Sequence, residues 1–310
     1  MNKKTYLIEK AEKGLTIQQY LKQIAGFSNA QIRSMKFTEN GICLGGQRAR
    51  VTTRLSEGDV LEVLLETKNS SSAHLLSFEQ MPDILYEDAD VIAVNKPAGM
   101  AVHPSHGHYQ DTLANQLAYY FRKNTQQVEI HSIGRLDLET SGIVLFARHR
   151  AAAARLSRQR EDGRLQKTYL AICSGIFAEK NGTLNGAIAP LPGSLMKMCV
   201  SKDGKPAVTH YQVQKQYMEA ALVRLTLETG RTHQIRVHMA DAGHPLIGDR
   251  LYFADTDQKA DVDAENCFAG IKRAALHASR ICFYQPFEGK RITVEAPFPE
   301  DMKKCLFRDE

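Results

Sequence analysis

Apolar positions along the chain change their period several times, and each period predicts an element. In LTIQQYLKQIAGFS, Ile17, Tyr20, Leu21 and Ile24 recur at the i, i+3, i+4, i+7 spacing of a buried helical stripe, with Thr16 placed to cap the first turn. Ser28 opens a second short helix that turns Ile32 and Met35 inward and leaves Arg33 and Lys36 outside. ICLGGQ and EGDVLEVLL carry strand and turn signals around Gly45, Gly46 and Gly58, so two helices and a short twisted sheet are expected over residues 1–66. TKNSSSAHLLSFEQ, residues 67–80, holds a serine run and no clear period, and reads as a linker.

Beyond it, DILYEDADVIAVNKPAG reads as two strands around an acidic turn, the second ended by Lys96-Pro97. LVRLTLE alternates cleanly, Val223, Leu225 and Leu227 on one face and Arg224, Thr226 and Glu228 on the other, as in a half-exposed antiparallel sheet. Helices are signalled by DTLANQLAYYFR with Asp111 as cap, by RAAAARLSRQRED, and by HQIRVHMADAG, where Gly243 suits a left-handed C-terminal position. The expected class is α+β: a catalytic-sized domain over 81–310 with a mixed, mainly antiparallel sheet flanked by helices, preceded by a small α/β module.

At 310 residues, 43% of them hydrophobic, the chain can bury either one large core or a core plus a small accessory module. MNKKTYLIEK is polar and no apolar run approaches the roughly 18 residues of a membrane span, so a cytoplasmic protein without a membrane segment is expected. The six cysteines are scattered with no C-x-x-C pair, which suits reduced thiols. A net charge of +5 is a mild basic excess, but its distribution is uneven. From Arg148 to Lys167 seven basic residues face two acids, which is either a solvated helix surface or a face for an anionic partner.

His103, His106 and His108 in HPSHGHY suggest zinc, but a tight loop offers no regular element to aim three rings, so no metal is expected. In IGRLDLETSG, Arg135 and Asp137 would share a face if the stretch were extended, and the guanidinium would then hold the carboxylate ionised. Such a pair is either a structural ion pair or a reagent beside its support. The small-residue turn Thr140-Ser141-Gly142, leading into IVLFA, leaves the carboxylate accessible on a rigid scaffold.

GRLDLETSGIVLFAR, LQKTYLAICSG, ETGRTHQIRVHMADAGHPLIGDRLY and LHASRICFYQP, preceded by AVNKPAGMAVHPS and GHYQDTLANQL, together resemble the RluA-type pseudouridine synthase family over about residues 80–300. SNAQIRSMKF and SEGDVLEV resemble the small RNA-binding domain named after the fourth small-subunit ribosomal protein, over residues 14–66. The first resemblance implies isomerisation of uridine in RNA without cofactor or metal. It makes Asp137 the catalytic aspartate, Tyr169 the active-site tyrosine, Arg236 the basic partner of the aspartate, and Arg135 the residue that enters the space of the extruded base. On the residues alone, Tyr169 has the alternative of a sheet tyrosine with its hydroxyl at the surface, and Arg236 that of a helix-surface arginine beside the stripe of Ile235, Met239 and Ala242. Arg231, near the start of that helix, suits a phosphate. The second resemblance puts Arg33, Lys36, Arg48, Arg50 and Arg54 on phosphates.

RNA is thus the expected partner, ribosomal RNA of the large subunit first and transfer RNA second, and the protein is expected to act as a monomer. Most family members carry histidine before the arginine, where this chain has Gly134, which bears on substrate choice.

Overall fold

A computed structural model describes residues 3–65, 75–105, 107–126, 128–194, 196–253 and 271–306. The amino-terminal part is a four-stranded antiparallel sheet, β1 (Lys3–Leu7), β2 (Ile42–Leu44), β3 (Gln47–Arg48) and β4 (Val60–Leu64), in the order β1-β4-β2-β3. Helices α1 (Ile17–Gln23) and α2 (Asn29–Phe37) lie against it. Each begins with a reciprocal cap: Thr16 Oγ1 accepts from the Gln19 amide and Ser28 Oγ from the Gln31 amide, while both glutamine side chains reach back. Ile17, Leu21, Ile32, Leu61 and Val63 fill the core between layers.

The remaining strands are β5 (Asp83–Glu87), β6 (Val91–Lys96), β7 (His131–Ser132), β8 (Ser141–Ala147), β9 (Gln166–Ser174), β10 (Asn181–Leu184), β11 (Ile188–Pro190), β12 (Met198–Val200), β13 (Thr209–Gln216), β14 (Ala220–Leu227), β15 (Leu276–Tyr284) and β16 (Arg291–Glu295). Ten of them form one sheet, with the path β10-β13-β14-β9-β15-β8-β6-β5, β16 on β15 and β7 on β8; β11 and β12 pair separately. One pairing, β8 with β15, is parallel and the others are antiparallel.

The pleat divides β6 and β8 between two cores. Ile92, Val94, Val144 and Phe146 point to one side, against α3 (Leu113–Lys123) and α5 (Gln234–Asp241). Val91, Ala93, Ile143, Leu145 and Ala147 point to the other, against Ala152 and Leu156 of α4 (Arg150–Glu161). A strand buried on both faces reads as the unbroken apolar run IVLFA, which is why alternation is missing there. A last helix, α6 (Glu300–Leu306), closes the described chain. No helix among the described residues is long and apolar enough to cross a membrane.

Three local expectations change. The cap of α3 is Thr112, whose hydroxyl accepts from the Asn115 amide; Asp111 instead accepts from His108 Nδ1 at 2.7 Å, and His106 lies outside the described residues. Residues 67–74 of the expected linker also lie outside them, while the segment from 75 is anchored at its start. Leu75 is buried, Arg122 donates to the Leu75 carbonyl at 2.6 Å, and Asn115 donates to the Leu76 carbonyl at 2.7 Å. Gly134 to Thr140 form a loop and not a strand, because Gly134 takes a left-handed φ of +85° and ends β7.

The basic run from 148 to 167 is also not one solvated face. Arg148 pairs with Glu87 at 3.0 Å and lies over the Phe121 ring. Arg155 is held between Phe27 and Phe287, 5.3 and 4.2 Å from the two ring centroids, and donates to the Pro286 carbonyl at 2.7 Å. It joins the amino-terminal sheet layer to the larger sheet, with burial pushing the neighbouring Tyr6 hydroxyl up to about 12.

Candidate active site

Asp137 opens the turn between β7 and β8, and its main-chain carbonyl accepts from the Thr140 amide at 3.1 Å. The next two residues are fastened from outside the turn. The Leu138 carbonyl accepts from the Gly99 amide at 2.9 Å and from Lys96 Nζ at 3.1 Å. The Glu139 carbonyl accepts from Arg273 at 3.3 Å, and its carboxylate accepts from the Ala274 amide at 3.2 Å. Gly142 completes the mounting: a β carbon there would lie 2.3 Å from the Ala278 carbonyl oxygen, so only glycine lets β8 approach β15 this closely.

Lys96 is fully buried at the end of β6 and spends all three donors on carbonyls, those of Pro97 and Met100 at 2.8 Å each and that of Leu138. Burial and the Arg273 charge push its amine down to about 7, and the Asp137 carboxylate pulls it up. Three carbonyl acceptors also favour the ammonium, since a neutral amine has two N–H groups to offer.

The Asp137 carboxylate is half-buried and makes no hydrogen bond to the described residues. Its charge is nonetheless felt by Tyr169, Arg236, His233 and Tyr252, which places these groups around it. Tyr169 sits on β9, buried at 7% exposure; burial, with Asp137 adding, raises its hydroxyl far above the ordinary value, so it stays protonated at neutral pH. A tyrosine held neutral can donate a hydrogen bond or offer its ring face, but is no phenolate base.

Arg236 is buried on α5 and forms a two-pronged pair with Asp249, Nε to Oδ2 and Nη2 to Oδ1 at 2.6 Å each, with Glu139 further off at 3.7 Å. Burial disfavours its charge, but the Asp249 bonds outweigh that and hold the guanidinium ionised, with Asp137 contributing at longer range. The direct carboxylate partner of Arg236 is therefore Asp249; Asp137 is its neighbour.

Its helix is set by Gln234, whose Oε1 accepts from the Arg231 amide and the Thr229 hydroxyl, and by His233, which takes φ +56° at the helix start. His233 Nδ1 meets the Tyr252 hydroxyl at 2.8 Å, and the Arg236 guanidinium lies 5.2 Å from the Tyr252 ring centre.

The structure brings Asp137, Tyr169 and Arg236 together and leaves others apart. Arg135 is exposed and makes no ion pair with Asp137; burial lowers the His103 pKa, with the charges of His131 and then Arg135 adding, which sets Arg135 toward the histidine loop. Arg231 is exposed, its Nε donating to the Pro206 carbonyl at 3.0 Å. Arg33, Lys36, Arg48, Arg50 and Arg54 are exposed on the amino-terminal module, where Arg48 donates to the Lys36 carbonyl and Arg54 to the Gly14 carbonyl.

Sequence reasoning passed over Asp249, Glu139 and Lys96. The available signals were an acid and a lysine set among apolar neighbours, in PLIGDRLY and VIAVNKP, where an unpaired charge would be too costly to keep.

A family profile described as RNA pseudouridylate synthase matches residues 90–241, which contain Asp137, Tyr169 and Arg236. Over 293 residues the chain is 35% identical to the uncharacterized RNA pseudouridine synthase YjbO of Bacillus subtilis, covering 94% of this chain and 98% of that one. It is 38% identical over 267 residues to the ribosomal large subunit pseudouridine synthase D of Neisseria meningitidis, covering 85% and 67% of the two chains. Among solved structures, human RNA pseudouridylate synthase domain containing 1 superposes with a TM-score of 0.57 at 26% identity, over 77% of this chain and 90% of that one. The fold and these relatives agree, and the chain belongs to the RluA-type RNA pseudouridine synthases.

Proposed function

We propose that this enzyme converts specific uridines of large-subunit ribosomal RNA to pseudouridine, with Asp137 as the catalytic carboxylate. The observation that carries the role of Asp137 is its hydrogen-bonding state: a carboxylate with no donor among the described residues, on a turn fastened at the two residues that follow it. Similarity to enzymes named for the large ribosomal subunit supports that RNA as the substrate.

The reaction breaks the bond from N1 of the base to C1′ of the sugar and forms one from C5 to the same carbon. The proton on C5 is lost and N1 gains one, so nothing is consumed. A glycosidase needs a second carboxylate to protonate its leaving group or to activate water. Uracil departs as a stabilised anion and is recaptured, so one carboxylate suffices.

In this reading Tyr169, neutral and buried, packs against the uracil plane. Arg236, locked by Asp249, keeps a fixed positive charge near Asp137. The target base must leave its stack, at a cost of a few kcal/mol, and exposed Arg135 fills the gap. Arg231 and the amino-terminal Arg33, Lys36, Arg48, Arg50 and Arg54 hold phosphates and position the RNA.

The test is to incubate total RNA from a strain lacking the gene with purified protein and map pseudouridine chemically. New sites in large-subunit RNA that Asp137→Asn fails to make are the expected result. New sites confined to transfer RNA would move the substrate, and equal activity from Asp137→Asn would remove the assigned role.

A further inference from the structure

We propose that Gly134, Arg160 and Lys167 form a seat for an RNA backbone phosphate beside the catalytic turn, a proposal that rests on the reading of RNA as substrate. A β carbon on Gly134 would lie 3.5 Å from Lys167 Nζ and 3.7 Å from Arg160 Nη1. Two cations from different elements, the end of α4 and the start of β9, therefore converge on one point, and the separation between them cannot exceed the sum of those distances. Glycine leaves that point empty, whereas any side chain there would enter the space between the two charges.

Four of the neighbouring basic residues have partners. Arg148 pairs with Glu87, Arg150 with Glu129, Arg164 with Asp162, and Arg155 is enclosed by aromatic rings. Among the described residues the side chains of Arg160 and Lys167 have no acidic or hydrogen-bonding partner. Lys167 is also recessed, and burial together with the Arg160 charge lowers its amine to about 8. An ammonium drawn out of bulk water beside an exposed guanidinium, without a counter-ion, is costly, and an incoming anion offsets that cost.

Position identifies the anion. Lys167 precedes Tyr169 by two residues on β9, so both side chains leave the same face of the sheet, roughly 7 Å apart along the strand. Gly134 likewise precedes Asp137 by three residues in the same loop. The seat thus flanks the pocket at about the reach from a base to the phosphate of its own or the adjoining nucleotide. Arg160 offers a planar fork and Lys167 a point charge, a pairing suited to a phosphodiester and indifferent to the base.

The experiment measures binding of the RNA that carries the mapped uridine by Asp137→Asn protein, which leaves the RNA unmodified, with Arg160→Gln and Lys167→Gln added singly and together. Each single change is expected to weaken binding about 5- to 20-fold at moderate salt and to reduce the slope of log K against log salt by about 0.7–0.9. In the active background KM rises by a similar factor while kcat stays within about threefold. Wild-type affinity should fall as pH rises through about 8, where Lys167 loses its proton, and Lys167→Gln should flatten that dependence.

Free of RNA, either variant should be at least as stable as the parent, because one of two repelling charges is gone. Clear destabilisation would point to a structural cation and overturn the proposal, as would unchanged affinity and slope. Binding is read separately from turnover. Protein that binds RNA yet makes no pseudouridine would sink the reaction while the slopes still judge the seat, and protein that binds no RNA would sink both.

Discussion

Two aspartates flank the buried guanidinium of Arg236, one in the turn before β8 and one after α5, and the fold treats them oppositely. Asp249 has no exposed surface and both its oxygens are engaged by Arg236, with the Leu251 amide adding a third bond. Asp137 is half-buried and its oxygens have no donor among the described residues, although its turn is tied down at Leu138 and Glu139. A spent carboxylate holds an element in place, whereas a free one on a held element can react. What separates the two is where the hydrogen bonds go, to the side chain in one region and to the backbone in the other.

The sharpest way to break this comparison is to remove the charge from each. Asp137→Asn should lower kcat by about 10⁴-fold or more, measured as pseudouridine formed per enzyme, with melting within about 2 °C of wild type. Asp249→Asn should do the reverse in emphasis. It leaves Arg236 buried beside an amide, costing about 3–5 kcal/mol in denaturant unfolding, with activity falling as α5 loosens. If Asp249→Asn unfolds normally, or Asp137→Asn melts early, the division of labour is wrong.

A smaller effect concerns the scaffold behind the turn. His277 of β15 is buried at 1% exposure, its Nδ1 meets the Ser141 hydroxyl at 2.9 Å, and burial, with Arg273 adding, lowers its pKa to about 4. The folded protein holds it neutral while the unfolded chain protonates near 6.5, so unfolding gains protons as pH falls. Stability should therefore be intact above about pH 6.5 and drop by roughly 3 kcal/mol on the way to pH 4. His277→Gln should unfold with a flatter pH dependence over that window; an unchanged slope would show that other groups carry it.

Much of this was legible where pattern and structure are local. The Thr16 cap with Ile17, Tyr20 and Leu21 behind it, and the alternation of β14, need no knowledge of distant residues. What failed to show were long-range choices. The extended reading of GRLD missed that Gly134 turns left-handed and that Arg135 is exposed without an ion pair to Asp137. Arg148 and Arg155 look like solvated charges in RHRAAAARLSRQR, yet their partners include Phe121 in one case and Phe27 and Phe287 in the other, which no period within the helix announces. The same distance hid the bond between Arg236 and Asp249, since the intervening turn decides whether the guanidinium faces it or Asp137.

Lys96 supplies the finest test, because two opposed terms meet in it. Lys96→Met keeps the stem and removes a charge whose burial is unfavourable, which by itself stabilises. It also strips the donor from three carbonyls, of which that of Leu138 keeps the Gly99 amide while Pro97 and Met100 are left without this bond. An orphaned acceptor costs about 1–3 kcal/mol, so the two losses exceed the relief and a net of roughly 2 kcal/mol in unfolding is expected. The functional reading is more telling than the stability. With one of its two outside donors gone, the Leu138 carbonyl can shift, and a displacement of Asp137 by a fraction of an ångström to 1 Å should cut kcat about 10- to 100-fold while RNA affinity stays near wild type. If kcat holds despite the lost stability, the turn is stiff enough without Lys96, and the lysine serves the core and not the carboxylate.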